Sequence, residues 1–388
     1  MEFELSFDPI CLDEKYQPFQ LGFHIDKYTE GKFPNLEEAA IVMFSVSEYR
    51  GTSIESKNTD YNVLREELYS LSKHNFNINL CDLGHLKLGH KKEDTYQIFQ
   101  DVISECFNRN LLPIVIGGGQ ELTYSMYLAY NNQNKYVSLL SIDNNFDLGA
   151  GDSTVNSDKF MRDILSHTPN KLFNYSNIGY QKHFVSYESV KMFNEMHFDV
   201  IRLGDSRSNI RELEPTIRAA DFVSFDISSI RFSDSPGSIK PTVNGFFGNE
   251  ACALLRYCGI NDKLSSLGIF NFAPQNDIHN QTSKLLSQMI WYFLDGFYNR
   301  VDDFKNFDKN YKKISVFIRD DQHDTNDTET VFYKSLKSGK WWMKVPIINN
   351  DFNFSQDHCF IPCSEQDYNI AIKGDLPNRW IIAFERLN

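Results

Sequence analysis

Residues 139–151 read LLSIDNNFDLGAG, an apolar run that ends in two aspartates, Asp143 and Asp147, with Asn145 midway between them. A chain leaving a buried strand places residues i, i+2 and i+4 around one small volume, so ligands spaced this way can converge on a cation. Two other apolar runs end in the same manner. Residues 111–116 lead into Gly117, Gly118, Gly119 and Gln120, and residues 221–225 lead into Asp226, Ile227 and Ser228. Each end carries a potential oxygen ligand of the kind hard cations prefer. Each also carries a neutral group, Gln120, Asn145 or Ser228, where a stronger ligand would fit.

The elements that must position these residues follow from the hydropathy pattern. Apolar runs of strand length occur at 40–46, 78–82, 112–116, 137–142, 174–178, 199–203, 222–225 and 264–272. Amphipathic helical stretches at 59–74, 93–110, 186–195 and 249–258 alternate with them, and 280–299 follows the last. Strands this apolar, separated by helices, predict an α/β fold with a parallel sheet covered on both faces. In open parallel sheets ligands bind beyond the carboxyl ends of the strands. Gln120, Asp143, Asp147, Asp226 and Ser228 all fall on that edge.

Composition narrows the function classes. The chain has 388 residues, 41% hydrophobic, with a mean hydropathy of -0.42, and no apolar run approaches the roughly 20 residues that span a bilayer. A net charge of -13 argues against nonspecific binding to nucleic acid or to an anionic membrane. The N-terminus MEFELSFDPICL lacks a signal-peptide pattern, and seven cysteines without paired close spacings argue for a reducing compartment, so the cytoplasm is the expected location. Cys81, Cys106, Cys252 and Cys258 read as core residues. His358, Cys359 and Cys363 form a weak zinc signal because no second ligand pair stands nearby. The glycines 117–119 lack the Gly-Lys-Ser/Thr of a phosphate loop.

Past residue 301 the alternation ends in the charged run VDDFKNFDKNYKK. The expected organisation is an N-terminal segment over 1–34, a main domain over 35–305 and an aromatic-rich C-terminal extension over 306–388. The extension contains a strand at 314–318, a solvated loop DDQHDTNDTET, and Trp341, Trp342 and Trp380, which read as packing residues.

The three strand-end motifs resemble those of the ureohydrolase family, which includes arginase, agmatinase and formimidoylglutamase. The family signatures are Gly-Gly-Gly-His, Asp-Ala-His-x-Asp, and Ser-x-Asp-x-Asp followed by Pro-Gly. Here they stand as Gly117-Gly118-Gly119-Gln120, Asp143-Asn144-Asn145-Phe146-Asp147, and Ser224-Phe225-Asp226-Ile227-Ser228 with Pro236-Gly237 downstream. Order, spacing and strand context match over residues 35–299. The resemblance implies a three-layer α/β/α arginase-like fold with an eight-stranded parallel sheet. It also implies two manganese ions sharing a hydroxide that attacks a guanidinium or formimino carbon.

Carried over by position, the six metal ligands read Gln120, Asp143, Asn145, Asp147, Asp226 and Ser228. Three keep their carboxylates, and both imidazoles are gone. One implied metal position, Gln120, Asp143, Asp147 and Asp226, retains a donor set for a single divalent cation, manganese or magnesium. The other, Asp143, Asn145, Asp226 and Ser228, keeps only the shared carboxylates, which argues against a binuclear centre. Arg231 stands where the family carries an aspartate and is a candidate to replace a metal's charge beside the carboxylates, or else an ordinary surface arginine. Residues 152–160 contain no histidine at the family's proton-shuttle position. Glu250 matches a glutamate that holds the substrate's nitrogens, or serves only to favour a helix N-terminus. Asp205 matches a family aspartate. Arg207 stands where arginase contacts the substrate's amino group, which favours an anionic ligand group.

Two functions follow as expectations. The first is a catalytically degenerate arginase- or formimidoylglutamase-like protein, a pseudoenzyme that binds a small molecule or a partner protein. The alternative is a divergent single-metal hydrolase of linear amidines, with formimidoylglutamase-like cleavage of carbon–nitrogen bonds. A purely structural role for the aromatic extension is a third reading, and homo-oligomerisation is compatible with each.

Overall fold

The computed structural model describes residues 3–12, 15–54, 59–133, 135–149, 156–303, 310–318, 328–348 and 356–388. Strand formation follows the apolar runs. The strands of the main sheet are β1 (Phe7–Asp8), β2 (Asp26–Lys27), β3 (Ile41–Ser45), β4 (Leu80–Leu86), β5 (Leu112–Ile116), β6 (Val137–Ile142), β7 (Leu172–Tyr180), β8 (Asp199–Arg202), β9 (Phe222–Asp226) and β10 (Ser266–Phe270). Their order is β1-β4-β3-β5-β10-β9-β6-β7-β8, with β2 on β4. The eight expected parallel strands form the body of the sheet. Two further two-residue strands, unforeseen because they are so short, extend it at β4, where β1 runs antiparallel and β2 parallel.

Successive residues of each strand enter opposite cores, as the two-residue period of a pleated strand requires. Ile41 and Met43 pack on one side with Leu64 and Leu68 of helix Asn62–Ser70, Leu255 of Gly248–Ile260 and Phe293 of Gln281–Tyr298. Val42 and Phe44 pack on the other with Phe99 of Lys92–Asn108, Met126 of Leu122–Asn132 and Phe193 of Tyr187–Glu195. Both faces are therefore covered, giving three layers. The helix Leu122–Asn132 escaped the sequence pattern because Thr123, Ser125 and Tyr127 are buried as fully as Leu122 and Met126, which erases its polar stripe.

The C-terminal residues form a second, antiparallel sheet of β11 (Tyr311–Ile318), β12 (Thr328–Ser335), β13 (Trp341–Lys344) and β14 (Phe360–Cys363), followed by helices Glu365–Ala371 and Asn378–Leu387. The expected strand at 314–318 is part of β11. Trp341, Trp342 and Trp380 are buried, with Trp341 stacked on Tyr368 at 4.8 Å. Arg218, in helix Glu214–Arg218 of the main body, donates to the carbonyls of Trp341 at 3.1 Å and Cys363 at 3.2 Å, tying the two sheets together. Residues 304–309 of the charged run after 301 and residues 320–327 of the loop DDQHDTNDTET lie outside the described residues.

Candidate functional site

Sheet order brings the predicted residues together. Strands β5, β10, β9 and β6 are consecutive neighbours, and their carboxyl ends deliver Gln120, Asn271, Asp226 and Asp143 in that sequence. After β5 the chain turns sharply: Gly117 and Gly118 have φ of +88° and +77°, and a Cβ on Gly117 would strike the Tyr61 hydroxyl. Only glycine adopts that backbone without strain. The turn is fixed by Gly117 N donating to Ile269 O at 2.8 Å and Asn271 N donating to Gly118 O at 2.9 Å.

The resulting side chains form one buried network. Gln120 Nε2 donates to Asp143 Oδ2 at 2.8 Å, and Asn145 N donates to Asp143 Oδ1 at 3.0 Å. Asn271 Nδ2 donates to Asp226 Oδ2 at 2.8 Å, and Ser228 N donates to Asp226 Oδ1 at 2.7 Å. The Gln120 backbone N–H also donates to Asn271 Oδ1 at 3.2 Å. Asp147, in left-handed backbone at φ 48°, shares a hydrogen bond between carboxyls with Asp143, which requires a proton on one of them. Burial, then the charge of Asp226, pushes Asp143 up to about 8. Burial, then the charge of Asp143, holds Asp147 well above the usual carboxylate range, and burial raises Asp226.

The other two positions of the six do not present side-chain ligands to this cluster. Asn145 Oδ1 accepts from the Phe146 N–H at 2.8 Å, and the Ser228 hydroxyl accepts from Asn144 Nδ2 at 3.1 Å. A neutral amide and a hydroxyl committed to such bonds do not fit the second metal of a binuclear manganese centre. The remaining set, Asp143, Asp147, Asp226 and the Gln120 amide oxygen, fits one hard cation by donor type. As arranged, its oxygens face neutral donors, and no three His, Cys, Asp or Glu side chains among the described residues form a group able to hold an ion. Cys359 and Cys363 are buried thiols. Cys81, Cys106, Cys252 and Cys258 are likewise buried, and burial raises each of these four thiols.

Arg231 does not replace a metal. Its Nε donates to Asp234 at 2.9 Å and its guanidinium lies 4.0 Å from the Phe247 ring, because the adjacent aspartate and aromatic face offer it a partner without dehydration among the carboxylates. Arg207 packs on the same ring at 3.8 Å and donates through Nε to both oxygens of Glu250, at 3.1 and 3.0 Å. Glu250 Oε2 also accepts the Phe247 N–H at 2.8 Å, capping helix Gly248–Ile260. Glu250 and Arg207 are thus brought together as an ion pair around Phe247. Asp205 lies on the exposed surface, bound to Arg202. The proton-shuttle segment 152–160 is outside the described residues up to 155.

Two features went unread in the sequence. Asn271 falls inside the apolar run 264–272, where its signal is a lone polar residue between Phe270 and Phe272. Glu121, beside Gln120, is buried, accepts from the Tyr96 hydroxyl at 3.2 Å and is pushed up by burial to about 7.

With this geometry in place, likeness to known proteins is informative. A family model described as "Arginase family" matches residues 45–295. The chain is 25% identical over 225 residues to formimidoylglutamase of Staphylococcus aureus (strain MRSA252), covering 55% of this chain and 71% of that protein. Trypanosoma cruzi formiminoglutamase, crystallised with Mn2+2, superposes with a TM-score of 0.63 at 19% identity, over 69% of this chain and 96% of the other. The formimidoylglutamase of Bacillus subtilis gives 0.60 at 15% identity, over 68% and 88%. The two structures share the fold, and the family model runs from the last residue of β3 through all four strands that build the site. That match spans well over half of the chain, and the chain belongs to the arginase family.

Proposed function

We propose that this protein is an arginase-family member that has given up two-metal hydrolysis and keeps its strand edge as a binding platform for a small molecule or a partner protein. One observation carries the reading. All four carboxylate oxygens of Asp143 and Asp226 accept hydrogen bonds from neutral donors, Gln120, Asn145, Asn271 and Ser228. A cluster closed in this way holds its shape through dipoles and a shared proton, where a binuclear centre would need two cations to offset the repulsion.

A second reading is favoured by the donor types themselves. Three carboxylates and one amide oxygen at one strand edge suit a single manganese or magnesium ion, held by Asp143, Asp147, Asp226 and Gln120. Such an ion, when bound, supplies Lewis-acid polarisation and an acidified water. Formimidoylglutamase-like relatives and Arg207 point to an acidic linear amidine as substrate. In this reading Glu250 and Arg207 exchange their mutual ion pair for the ligand's nitrogens and its anionic group.

One experiment separates the two. The purified full chain is dialysed against manganese, analysed for bound metal, and assayed for ammonia, urea or formamide release from guanidino, formimino and amidino compounds. The binding role predicts no turnover. Enzyme-like hydrolysis, abolished by Asp143→Ala, would overturn it in favour of the single-ion enzyme.

A further inference from the structure

At the opposite end of the main sheet, a cavity of about 240 Å³ lies between the amino ends of β7 and β8 and the C-terminal sheet. It exceeds the roughly 150 Å³ that admits benzene into an engineered core. Its walls are aromatic where Phe173, Trp342 and Phe360 line it, and they also carry polar atoms that the fold leaves unsatisfied.

Arg218 is 6% exposed. Its Nε donates to Glu214 at 2.9 Å, its Nη2 donates to two carbonyls of the C-terminal sheet, and its guanidinium lies 4.2 Å from the Trp342 ring, but Nη1 has no partner among the described residues. Asn174 is 2% exposed. Its Nδ2 is held by Asp199 at 2.9 Å and Ser176 at 3.3 Å, and Oδ1 has no donor among the described residues. Asp262 accepts the Asp303 N–H at 3.1 Å through Oδ2, and its buried Oδ1 has no donor among the described residues. Leaving a buried polar group unpaired is destabilising, more so when it is charged, so three in one cavity wall point to something that pairs them.

Their chemistry selects the occupant. A permanent cation with a free N–H asks for an anionic oxygen, while an amide oxygen and a carboxylate oxygen ask for N–H donors. Phosphate would answer Arg218 and face Asp262 and the Asn174 oxygen with its own negative charge. A lone amine would leave Arg218 unpaired. We propose that the cavity binds an α-amino acid with an apolar side chain. Its carboxylate sits on Arg218 Nη1, its ammonium on Asn174 Oδ1 and Asp262 Oδ1, and its side chain against Trp342, Phe173 and Phe360. The site is separate from the carboxylate cluster and does not depend on whether that cluster is catalytic.

The test is calorimetric titration and thermal-shift measurement on the full chain with L-phenylalanine and L-leucine. 3-Phenylpropionate, which lacks the ammonium, and phenethylamine, which lacks the carboxylate, serve as controls. The amino acid should bind and raise the melting temperature, with each control weakened at least tenfold. Arg218→Leu also strips the bonds to Trp341 and Cys363, so two milder variants carry the test: Asn174→Ala, which removes one acceptor, and Ala383→Leu, which fills the cavity. Both should retain a cooperative melting transition and lose at least tenfold in affinity. Three results would overturn the proposal: no binding of either amino acid at millimolar concentration, meaning a cavity filled by water only; controls that bind as well as the amino acids; or undiminished binding in both variants.

Discussion

The Gln120 side chain meets Asp143 nitrogen first, Nε2 donating to Oδ2 over 2.8 Å. An imidazole can lend a lone pair to a metal from that position, whereas an amide N–H can only donate. Gln120, four residues past β5, therefore makes the Asp143 carboxylate, itself one of the implied ligands, a hydrogen-bond acceptor.

Removing that donor should be costly. Gln120→Leu leaves Asp143 Oδ2 buried without its short bond, an unsatisfied acceptor beside two other carboxyls. A loss of about 1–3 kcal/mol is expected in urea denaturation at neutral pH. A change of only a few tenths would show that the amide does not hold the cluster.

Restoring the absent ligands should restore the metal. The triple change Gln120→His, Asn145→His, Ser228→Asp rebuilds the six-ligand set that the family resemblance implies, and about two manganese ions per chain are expected by elemental analysis. Ser228→Asp alone should add none, because both imidazole positions stay filled by amides. Failure of the folded triple variant to bind manganese would mean that the strand ends have moved as well as the ligands.

Beneath β4 lies a buried ion pair, Arg65 with Asp82 at 2.8 Å, in which Arg65 is only 1% exposed. Arg65→Met strands the Asp82 charge and should cost about 3–5 kcal/mol. Adding Asp82→Leu should recover part of that loss, as measured by a denaturation cycle over the two single variants and the double variant. Additive losses would contradict the coupling.

His85 contributes a pH dependence opposite in sign to that of the raised carboxyls Asp143, Asp147 and Glu121. Burial, then the Arg65 charge, pushes its imidazole down to about 4, and its Nδ1 lies 2.7 Å from the Ser45 hydroxyl. The unfolded chain takes up this proton near pH 6.5 and the folded chain only near 4, so protonation favours unfolding in between. Stability from this group is complete above about pH 6.5 and declines toward pH 4, by at most about 3 kcal/mol. The stability lost on His85→Gln should therefore be larger near pH 6.5 than near pH 4, and a difference between the two proteins that stays constant over that interval would exclude the His85 contribution.

Phe247 carries a guanidinium on either side, Arg207 at 3.8 Å and Arg231 at 4.0 Å. At about 0.5–1 kcal/mol for each cation on the ring, Phe247→Leu should lose roughly 1–2 kcal/mol. Thermal denaturation measures this loss, and Arg231→Leu in the Phe247→Leu background should add little. A large further loss would place the role of Arg231 elsewhere.

Much of this arrangement could be read from residue order, and the unread parts share a cause. Alternate residues of β3, Ile41 and Met43 against Val42 and Phe44, are apolar on both faces, which is the pattern of a covered parallel strand. The suspects Gln120, Asp143 and Asp226 announce themselves by standing where such runs stop. Strand order is different, because it depends on which crossover packs beside which. No local pattern says that β10 lies between β5 and β9 and so sets Asn271 between Gln120 and Asp226. The pairing of Arg207 with Glu250 joins residues 43 apart, and the Arg231 partner depends on where the Phe247 ring lands. In the extension, Thr328–Ser335 mixes polar and apolar residues without a period and Phe360–Cys363 is only four residues long with a proline inside, and they become strands by pairing with Trp341–Lys344.

Arg218 also sets an order of events during synthesis. Its acceptors are the carbonyls of Trp341 and Cys363, residues that leave the ribosome more than a hundred positions after it. Chains emerge amino end first, and the main sheet can begin to assemble while these acceptors are still unmade. Until the last strand arrives, the guanidinium at the base of that sheet must stay hydrated. Closure of the two sheets over it is then a late step, one that a chain stopped before Cys363 cannot complete.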